Sequence, residues 1–543
     1  MLPPDYLDNL PDTIVELFRR AEEDILEDMA RRIVKTGEFT KTAQWQAWRM
    51  EQLGETREYI FYHLQRLTGK TQGEINAIFE EAGGKALSYD DQIYRAFGLT
   101  PGRVNDNPEL LNLLRAGARQ TQKTFQNLTA TTANTATRQF ERALDRAWLQ
   151  VSSGAFDYKT AIRQAMKDLA KAGLQAISYP SGHTDALDVA VRRAVLTGIN
   201  QTAARLSEAR AEEMGCDLVE TTAHPGARPE HAPWQGQVFS RSGKSRKYPD
   251  FVSSTGYGTG AGLCGWNCRH SFFPFFEGLS SSAYPREKLR AYENQKVNYN
   301  GQELSYYEAT QQQRYIERKI RRWKREYLMM DAAGQDTAQA AGKLAQWRAA
   351  EREFCKQTGL IKDTFRSQAE GFGRKQAARA TAQAEHNHKT WLKSIGAEKT
   401  DLNTLAKYYN GKYNNSPAYQ MLWRYAQSVE SGMLSPMAGI DLYQSIYQRI
   451  EKEIIGKKTA NGIVIQAQSH HLIERVLGTM RDPHKNHPRS GVAYDDLLEC
   501  ILYGTPRPIK ISPNSERSQL FYTEKCAVSI NPDTGTLIQC NPL

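Results

Sequence analysis

Apolar side chains recur at helical spacing through roughly the first 170 residues, and this periodicity constrains the fold more than any other feature of the chain. Ile14, Leu17, Phe18, Ala21, Ile25, Met29 and Ile33 trace one stripe, with Asp12 or Thr13 able to cap its start. Further helical stretches are expected at 43–66, 72–82, 108–150 and 158–173. Breaks are expected at Gly83-Gly84, Thr100-Pro101-Gly102 and Ser152-Ser153-Gly154. Stripes of this kind are buried by one another, so the region reads as a helical arm or bundle. The Gln/Thr/Ala/Asn-rich segment 119–138 is polar around most of its circumference and is expected to face solvent or a partner.

The texture changes near Tyr179-Pro180-Ser181-Gly182, where a helix from Asp185 to Met214 and a β-like run Leu218–Thr222 follow. From 224 to 278 the chain is rich in Gly, Pro, His, Trp, Phe and Cys and lacks helical period, as a loop-rich unit would. Helical patterning resumes over 283–395, with one polar helix expected from 331 to 393, and continues to about 456. Gly456–Gly462 reads as a linker. The last segment gives helices at His470–Met480 and Ala493–Tyr503, then β-like runs at 508–511, 519–523, 526–530 and 536–540. The fold class expected is therefore mainly α, with a small loop-rich α+β middle module and a C-terminal α+β domain of two helices followed by an antiparallel meander. The expected boundaries are 1–175, 176–282, 283–460 and 461–543.

A chain of 543 residues with 40% hydrophobic and 24% charged side chains has material for several cores, which excludes wholesale disorder. No apolar run is long enough for a membrane span, so no membrane partner is expected. The start, MLPPDYLDNLPD, is acidic and proline-rich where a signal peptide is basic and then apolar. Seven cysteines, an odd number, do not compose a complete disulfide framework and suit synthesis in a reducing cytoplasm. The net charge of +10 favours anionic neighbours if the excess is concentrated.

The middle unit carries chemistry-bearing side chains. His224, His231, Cys264, Cys268 and His270 form an H-x6-H group and a C-x3-C-x-H group. Brought together, they offer the nitrogen and sulfur ligands of a structural tetrahedral zinc. The competing reading makes the cysteines buried apolar groups and gives the histidines ordinary hydrogen bonds to carbonyls. Glycines 256, 258, 260, 262 and 265 lack the flanking strand, Lys-Ser/Thr pair and helix of a phosphate loop, and are expected to permit close backbone packing under aromatic rings. Arg228 and Arg269 are expected to pair with carboxylates or lock the two loops together.

The order His224-Pro225-Gly226-Ala227-Arg228-Pro229-Glu230-His231, Trp234-Gln235-Gly236, Tyr257-Gly258, Gly262-Leu263-Cys264-Gly265, Asn267-Cys268-Arg269-His270 and Pro274-Phe275 closely resembles the phage minor capsid protein 2 family, related to Mu F-like head morphogenesis proteins. With the preceding helical region the resemblance covers about residues 1–330. It implies a virion protein made in the host bacterial cytoplasm, acting near the portal in head assembly or DNA delivery, with portal and other capsid proteins as partners. It supplies no catalytic residues.

The tail, about 465–543, resembles phage nuclease-like domains of the barnase, EndoU, colicin and RelE type and cargo of the polymorphic-toxin kind. On that resemblance an effector is appended, with RNA as substrate and an immunity protein as companion. Four-residue spacing puts His471 and Arg475 on one helix face. Histidine suits proton transfer from a 2′-hydroxyl near neutral pH, and a guanidinium suits the charge of the phosphorane. Ser518, Thr523 or Ser529 is expected to add a hydroxyl, and His484 or His487 an acid, in a metal-independent ribonuclease. Against this stands a folded but inert or partner-binding tail, because residues 461–543 hold eight basic and eight acidic groups and no general positive field.

Arg314–Arg325 carries seven basic residues and one acid. It reads either as a contact to packaged DNA or, preferred, as an amphipathic helix that packs Ile316, Ile320, Trp323 and Tyr327 while its charges meet water.

Overall fold

The computed structural model describes all residues except 39–41, 154–155, 482–486 and 513–515. The chain is mainly α-helical with small sheets, and it divides into two compact units, Met1–Ala378 and Arg379–Leu543.

The first unit begins with α1 (Pro4–Asn9), α2 (Asp12–Val34), α3 (Thr42–Ala96), α4 (Pro108–Ser152) and α5 (Tyr158–Ala172). A short hairpin, β1 (Gln175–Ser178) and β2 (Thr184–Ala186), leads into α6 (Leu187–Glu213). The expected stripe of α2 is buried from Ile14 to Ile33, apart from half-buried Leu17, and joins a core with Phe79, Phe125, Phe140, Met166, Val191 and Ile199. The break expected at Gly83-Gly84 does not occur, and α3 runs straight through it. A Cβ at Gly83 would meet Leu114 and Leu206 at 2.3 and 3.1 Å, so the glycine serves helix packing instead of a turn. The same device acts reciprocally between α4 and α6: a Cβ on Gly117 would strike Thr202, and one on Gly198 would strike Thr121.

The expectation for 119–138 is corrected too. Thr121, Phe125, Leu128, Thr132, Ala133 and Ala136 are buried. Threonine enters such a face at low cost because its hydroxyl bonds back along the helix, as Thr129 does to the Phe125 carbonyl at 3.1 Å. Local polarity therefore concealed a Thr/Ala-lined helix interface.

The middle module is built on β3 (Leu218–Thr221), β4 (Val238–Ser240), α7 (Phe251–Thr255) and β5 (Phe272–Pro274). Its antiparallel sheet has the order β4-β3-β5. Val219, Trp234, Phe239, Phe251, Leu263 and Phe272 compose its core. The unit continues with α8 (Arg286–Glu293), the hairpin β6 (Lys296–Tyr299) and β7 (Gln302–Ser305), α9 (Tyr306–Ala332) and α10 (Ala338–Thr358). Ser305 and Glu308 close a capping box that starts α9.

The packing reading of α9 holds for Ile316, Ile320, Trp323 and Tyr327, all buried. Its charges do not all face outward, however. Arg325 reaches Glu22 at 2.6 Å and Glu23 at 3.2 Å, while Arg321 reaches Asp188 at 2.5 Å and Arg19 reaches it at 3.4 Å. Burial pushes the Asp188 carboxyl up, but Arg321, Arg19 and Arg325 outweigh it and hold the group well below the usual range. This inward network fastens α9 to α2 and α6.

The single helix expected over 331–393 is interrupted: α11 (Arg374–Ser394) is separate from α10 and crosses into the second unit. There, α12 (Leu405–Tyr413), α13 (Pro417–Glu430) and α14 (Gly439–Glu453) follow. Gly456–Gly462 is a closed turn and not an open linker, because the Gly456 amide donates to the Ile465 carbonyl and the Thr459 amide to Ile463. Next come β8 (Ala467–Gln468), α15 (His470–Leu477), α16 (Tyr494–Tyr503), β9 (Thr505–Pro506), β10 (Lys510–Ile511), β11 (Arg517–Tyr522), β12 (Cys526–Ile530) and β13 (Thr536–Pro542). The expected antiparallel meander is present as β10-β11-β12-β13, with β8 added in parallel at its edge and β9 paired to β11.

Candidate functional site

In the middle module the loops are forced together by glycine. A Cβ on Gly262 would lie 2.0 Å from the Gly256 carbonyl oxygen, one on Gly265 2.4 Å from that of Gly260, and one on Gly260 2.6 Å from the Trp266 ring. Close backbone packing thus accounts for Gly260, Gly262 and Gly265, whereas a Cβ on Gly258 (φ 86) would meet nothing within 4 Å. Cys264 (φ 59) and Asn267 (φ 53) hold left-handed conformations, a local cost of about 1–3 kcal/mol each that aims Cys268 inward. From α6, the Asn200 amide donates to the carbonyls of Cys268 (2.9 Å) and His270 (3.0 Å) and pins the loop.

The structure brings together three of the five proposed metal ligands. Cys268 Sγ lies 3.9 Å from His231 Nδ1 and 3.7 Å from His270 Nδ1, and all three residues are buried. Among the described residues this is the one convergence of three such donors. Cys264 turns away and donates its thiol to the His270 carbonyl at 3.5 Å. His224 stacks on His270 with 4.5 Å between ring centres, and its Nδ1 bonds the Pro225 carbonyl at 2.9 Å. Burial lowers the pKa of His224 to about 4, with Arg269 adding to the effect. Burial likewise lowers His231 and His270, and it raises the Cys264 and Cys268 thiols.

The trio borders a cavity of about 400 Å³. Eight arginines line it (19, 192, 228, 269, 314, 318, 321 and 366) against three carboxylates, Asp8, Asp188 and Glu317. Asp8 alone meets Arg192 at 2.7 Å, Arg366 at 3.0 Å and Arg269 at 3.3 Å. Burial raises its carboxyl, yet those guanidiniums hold it below its ordinary value. Arg228 donates to the Trp266 carbonyl at 3.0 Å, so one of the two highlighted arginines locks loops and the other pairs with a carboxylate. Glu317 is only 1% exposed, neither of its carboxyl oxygens has a hydrogen-bond partner, and burial pushes its pKa up to about 7. No local pattern marks Asp8, Arg19, Asp188, Arg192 and Arg366, which come from four separate segments and meet only in the fold.

In the second unit His471, Glu474 and Arg475 do converge. His471 Nδ1 lies 2.9 Å from Glu474 Oε2, and Arg475 Nε donates to His471 Nε2 at 3.3 Å. Ser428 Oγ donates to Glu474 at 2.5 Å. Although burial raises the Glu474 carboxyl, the bonds from His471 and Ser428 carry it below its ordinary value. The proposed hydroxyls lie elsewhere. Leu472 and Val476 of α15 pack with Phe521, Val528, Ile530 and Leu537 on one sheet face. Register pairs Leu520 with Ser529, and strand alternation sets Ser529 and Ser518 on the opposite face. Thr523 is used in its turn, accepting from the Cys526 amide at 3.3 Å. His487 bonds the Pro488 carbonyl, while His484 lies outside the described residues.

The first unit is a helical body carrying a sheet module, with buried arginine–carboxylate pairs joining α2, α6 and α9. The chain belongs to the phage minor capsid protein 2 family, whose model matches residues 2–356. It is similar to a structural protein of Lactococcus phage LL-H, 28% identical over 295 residues that cover 52% of this chain and 76% of that protein. It is also similar to a structural protein of Lactococcus phage mv4, 35% identical over 94 residues that cover 17% of this chain and 67% of that protein. No solved structure matches. The protein is thus a phage structural protein of the minor capsid class. The family match ends within α10, slightly beyond the extent of the resemblance read from the motifs, and does not reach the second unit. No helix among the described residues is long and apolar enough to cross a membrane.

Proposed function

We propose that this protein is a virion component of the phage head that sits at the portal and binds the portal and neighbouring capsid proteins during head assembly. The observation that carries the reading is the family match across residues 2–356, nearly the whole of the first unit. An apolar end on the α3/α4 hairpin supports it. These helices run antiparallel, with Arg49 held by Asp145 and Glu141, and Met50 (71% exposed) and Leu149 (66%) stand uncovered beside that junction. Exposed apolar groups beside an ion-paired helix junction suit a docking end. Cross-linking mass spectrometry on purified particles tests the proposal: cross-links from this end to the portal are expected, and absence of the chain from particles would overturn it.

The second reading is a ribonuclease effector in residues 461–543, acting on RNA without metal and kept in check by an immunity protein. The His471 ring held between Glu474 and Arg475 favours it. The distribution of Ser518, Thr523 and Ser529 leaves phosphate binding to Arg475 and its neighbours. Full-length protein incubated with RNA in EDTA, beside His471→Ala, tests it; no cleavage by the wild-type protein removes the reading. Contact of α9 with packaged DNA rests on Arg314, Arg318 and Lys319, since Arg321 and Arg325 are spent inside, Arg322 pairs with Glu326 and Lys324 donates to the Ser367 carbonyl. A shallow salt dependence of duplex binding would fit so few phosphate contacts.

A further inference from the structure

We propose that His231, Cys268 and His270 bind a zinc-class divalent cation whose fourth coordination position opens to the arginine-lined cavity and is filled from it by a phosphate-class oxyanion. The inference goes beyond the role in the head and does not depend on it.

Geometry supplies the first argument. Zinc bonds of ~2.3 Å to sulfur and ~2.0–2.1 Å to nitrogen, at a tetrahedral angle, separate the two ligand atoms by ~3.6 Å. The observed sulfur–nitrogen separations are 3.7 and 3.9 Å. One ligand atom from each of the three residues lies within 4.8 Å of the other two.

Outer contacts supply the second. His231 Nε2 lies 2.9 Å from the Ala261 carbonyl oxygen, which can only accept, so the ring donates there and presents a lone pair at Nδ1. His270 Nε2 lies 3.2 Å from Gln235 Oε1, and that atom is fixed as an acceptor because the His224 backbone amide also donates to it at 3.2 Å. Both Nδ1 lone pairs therefore aim at one sulfur. A neutral thiol has a single proton and can satisfy one of them, leaving a buried acceptor unpaired at a cost of ~1–3 kcal/mol. A cation satisfies both nitrogens and the sulfur at once. The His270 amide, 3.4 Å from Cys268 Sγ, donates to the sulfur as it would to a coordinated thiolate.

The fourth position follows from what is missing. Cys264 and His224 are engaged with carbonyls and stand outside the group, so the chain supplies three ligands, as in zinc sites that keep an exchangeable position. The cavity beside it is finished for an anion. Arg314 lines it without a hydrogen bond or close ion pair among the described residues. Guanidinium and a metal ion together match the charge and geometry of a phosphate oxyanion.

The test is metal analysis of the full chain, followed by cobalt substitution. About one zinc per chain is expected, with less than ~0.3 in Cys268→Ser and His231→Ala and full retention in Cys264→Ser. Cobalt should give a sulfur-to-metal charge-transfer band and the strong visible bands of a four-coordinate ion. Inorganic phosphate should shift those bands at millimolar concentration, and Arg314→Gln should weaken that response at least fivefold while keeping the metal. Under ~0.1 metal per chain in wild-type protein after zinc dialysis overturns the site. Equal loss in Cys264→Ser and Cys268→Ser, with unchanged circular dichroism, overturns the ligand set. Should Cys268→Ser fail to fold, chelator release of one zinc from wild-type protein with loss of the cobalt sulfur band decides the same point. A cobalt spectrum indifferent to phosphate overturns the oxyanion. A response to phosphate that Arg314→Gln leaves unchanged overturns the assignment of the anion to this cavity.

Discussion

Cysteine is used in two ways in this molecule. In the middle module Cys268 faces two imidazole nitrogens beside an arginine-lined cavity. In the second unit Cys500 of α16 and Cys526 and Cys540 of the sheet face backbone carbonyls and apolar side chains, as where Cys500 Sγ reaches the Phe521 carbonyl at 3.4 Å. All four are buried thiols. The neighbours, and not the residue type, separate a ligand from a core side chain. Charge shows the same contrast: the first unit buries arginine–carboxylate pairs between helices, whereas the second buries the smaller cluster of Glu474, Arg475 and Ser428.

The largest effect that probes this contrast is expected from Asp188→Asn. It leaves Arg321 and Arg19 facing a neutral amide, and breaking a buried pair costs about 3–5 kcal/mol. Calorimetry should show the first unit's transition moving down strongly while the second unit's stays in place. Glu474→Gln, in the second unit, removes a carboxylate held below its ordinary value. Such a group adds stability above its unfolded pKa and loses it as pH falls through the folded value. The wild-type advantage over Glu474→Gln should therefore be present at pH 7 and fade below about pH 4, read by urea unfolding.

Next in size is Gly117→Val, which overpacks the α4/α6 contact at an expected cost of about 1–3 kcal/mol. Cys500→Ala should cost about 1 kcal/mol and leave metal content untouched, and loss of metal with it would erase the distinction between the two thiol settings. The last effect is one of pH and concerns Glu317. Its folded pKa of about 7 lies above the unfolded carboxyl value, so the folded state binds the extra proton and stability falls as pH rises between about 4.5 and 7. Glu317→Gln should flatten that slope in a pH series of unfolding midpoints. A persistent slope would show that the carboxyl meets a partner in solution.

Much of the architecture was legible because periodicity is local. The α2 stripe, the bounds of β12 and the turn at Asn531–Gly535 follow from patterns a few residues long. The errors share one cause. Gly83 looked like a break, and 119–138 looked like a solvated face, because the partners Leu114, Leu206 and Phe79 that give them meaning arrive from other helices. The site was half legible: the Cys/His spacing pointed to the module, and the fold reduced five donors to three. Arg321 and Arg325 carry the same charge as Arg318, which is exposed, and nothing within their own helix separates them.

The order of residues alone determined the helical class, the sheet at the end and the glycine-tight loops, since backbone propensity and side-chain period act over a few residues. Which donors meet at Cys268, and which arginines turn inward to carboxylates, was decided by tertiary structure. The partners of those groups lie as far as 358 residues away, as Asp8 does from Arg366, and only packing sets the distances on which coordination and Coulomb energies depend.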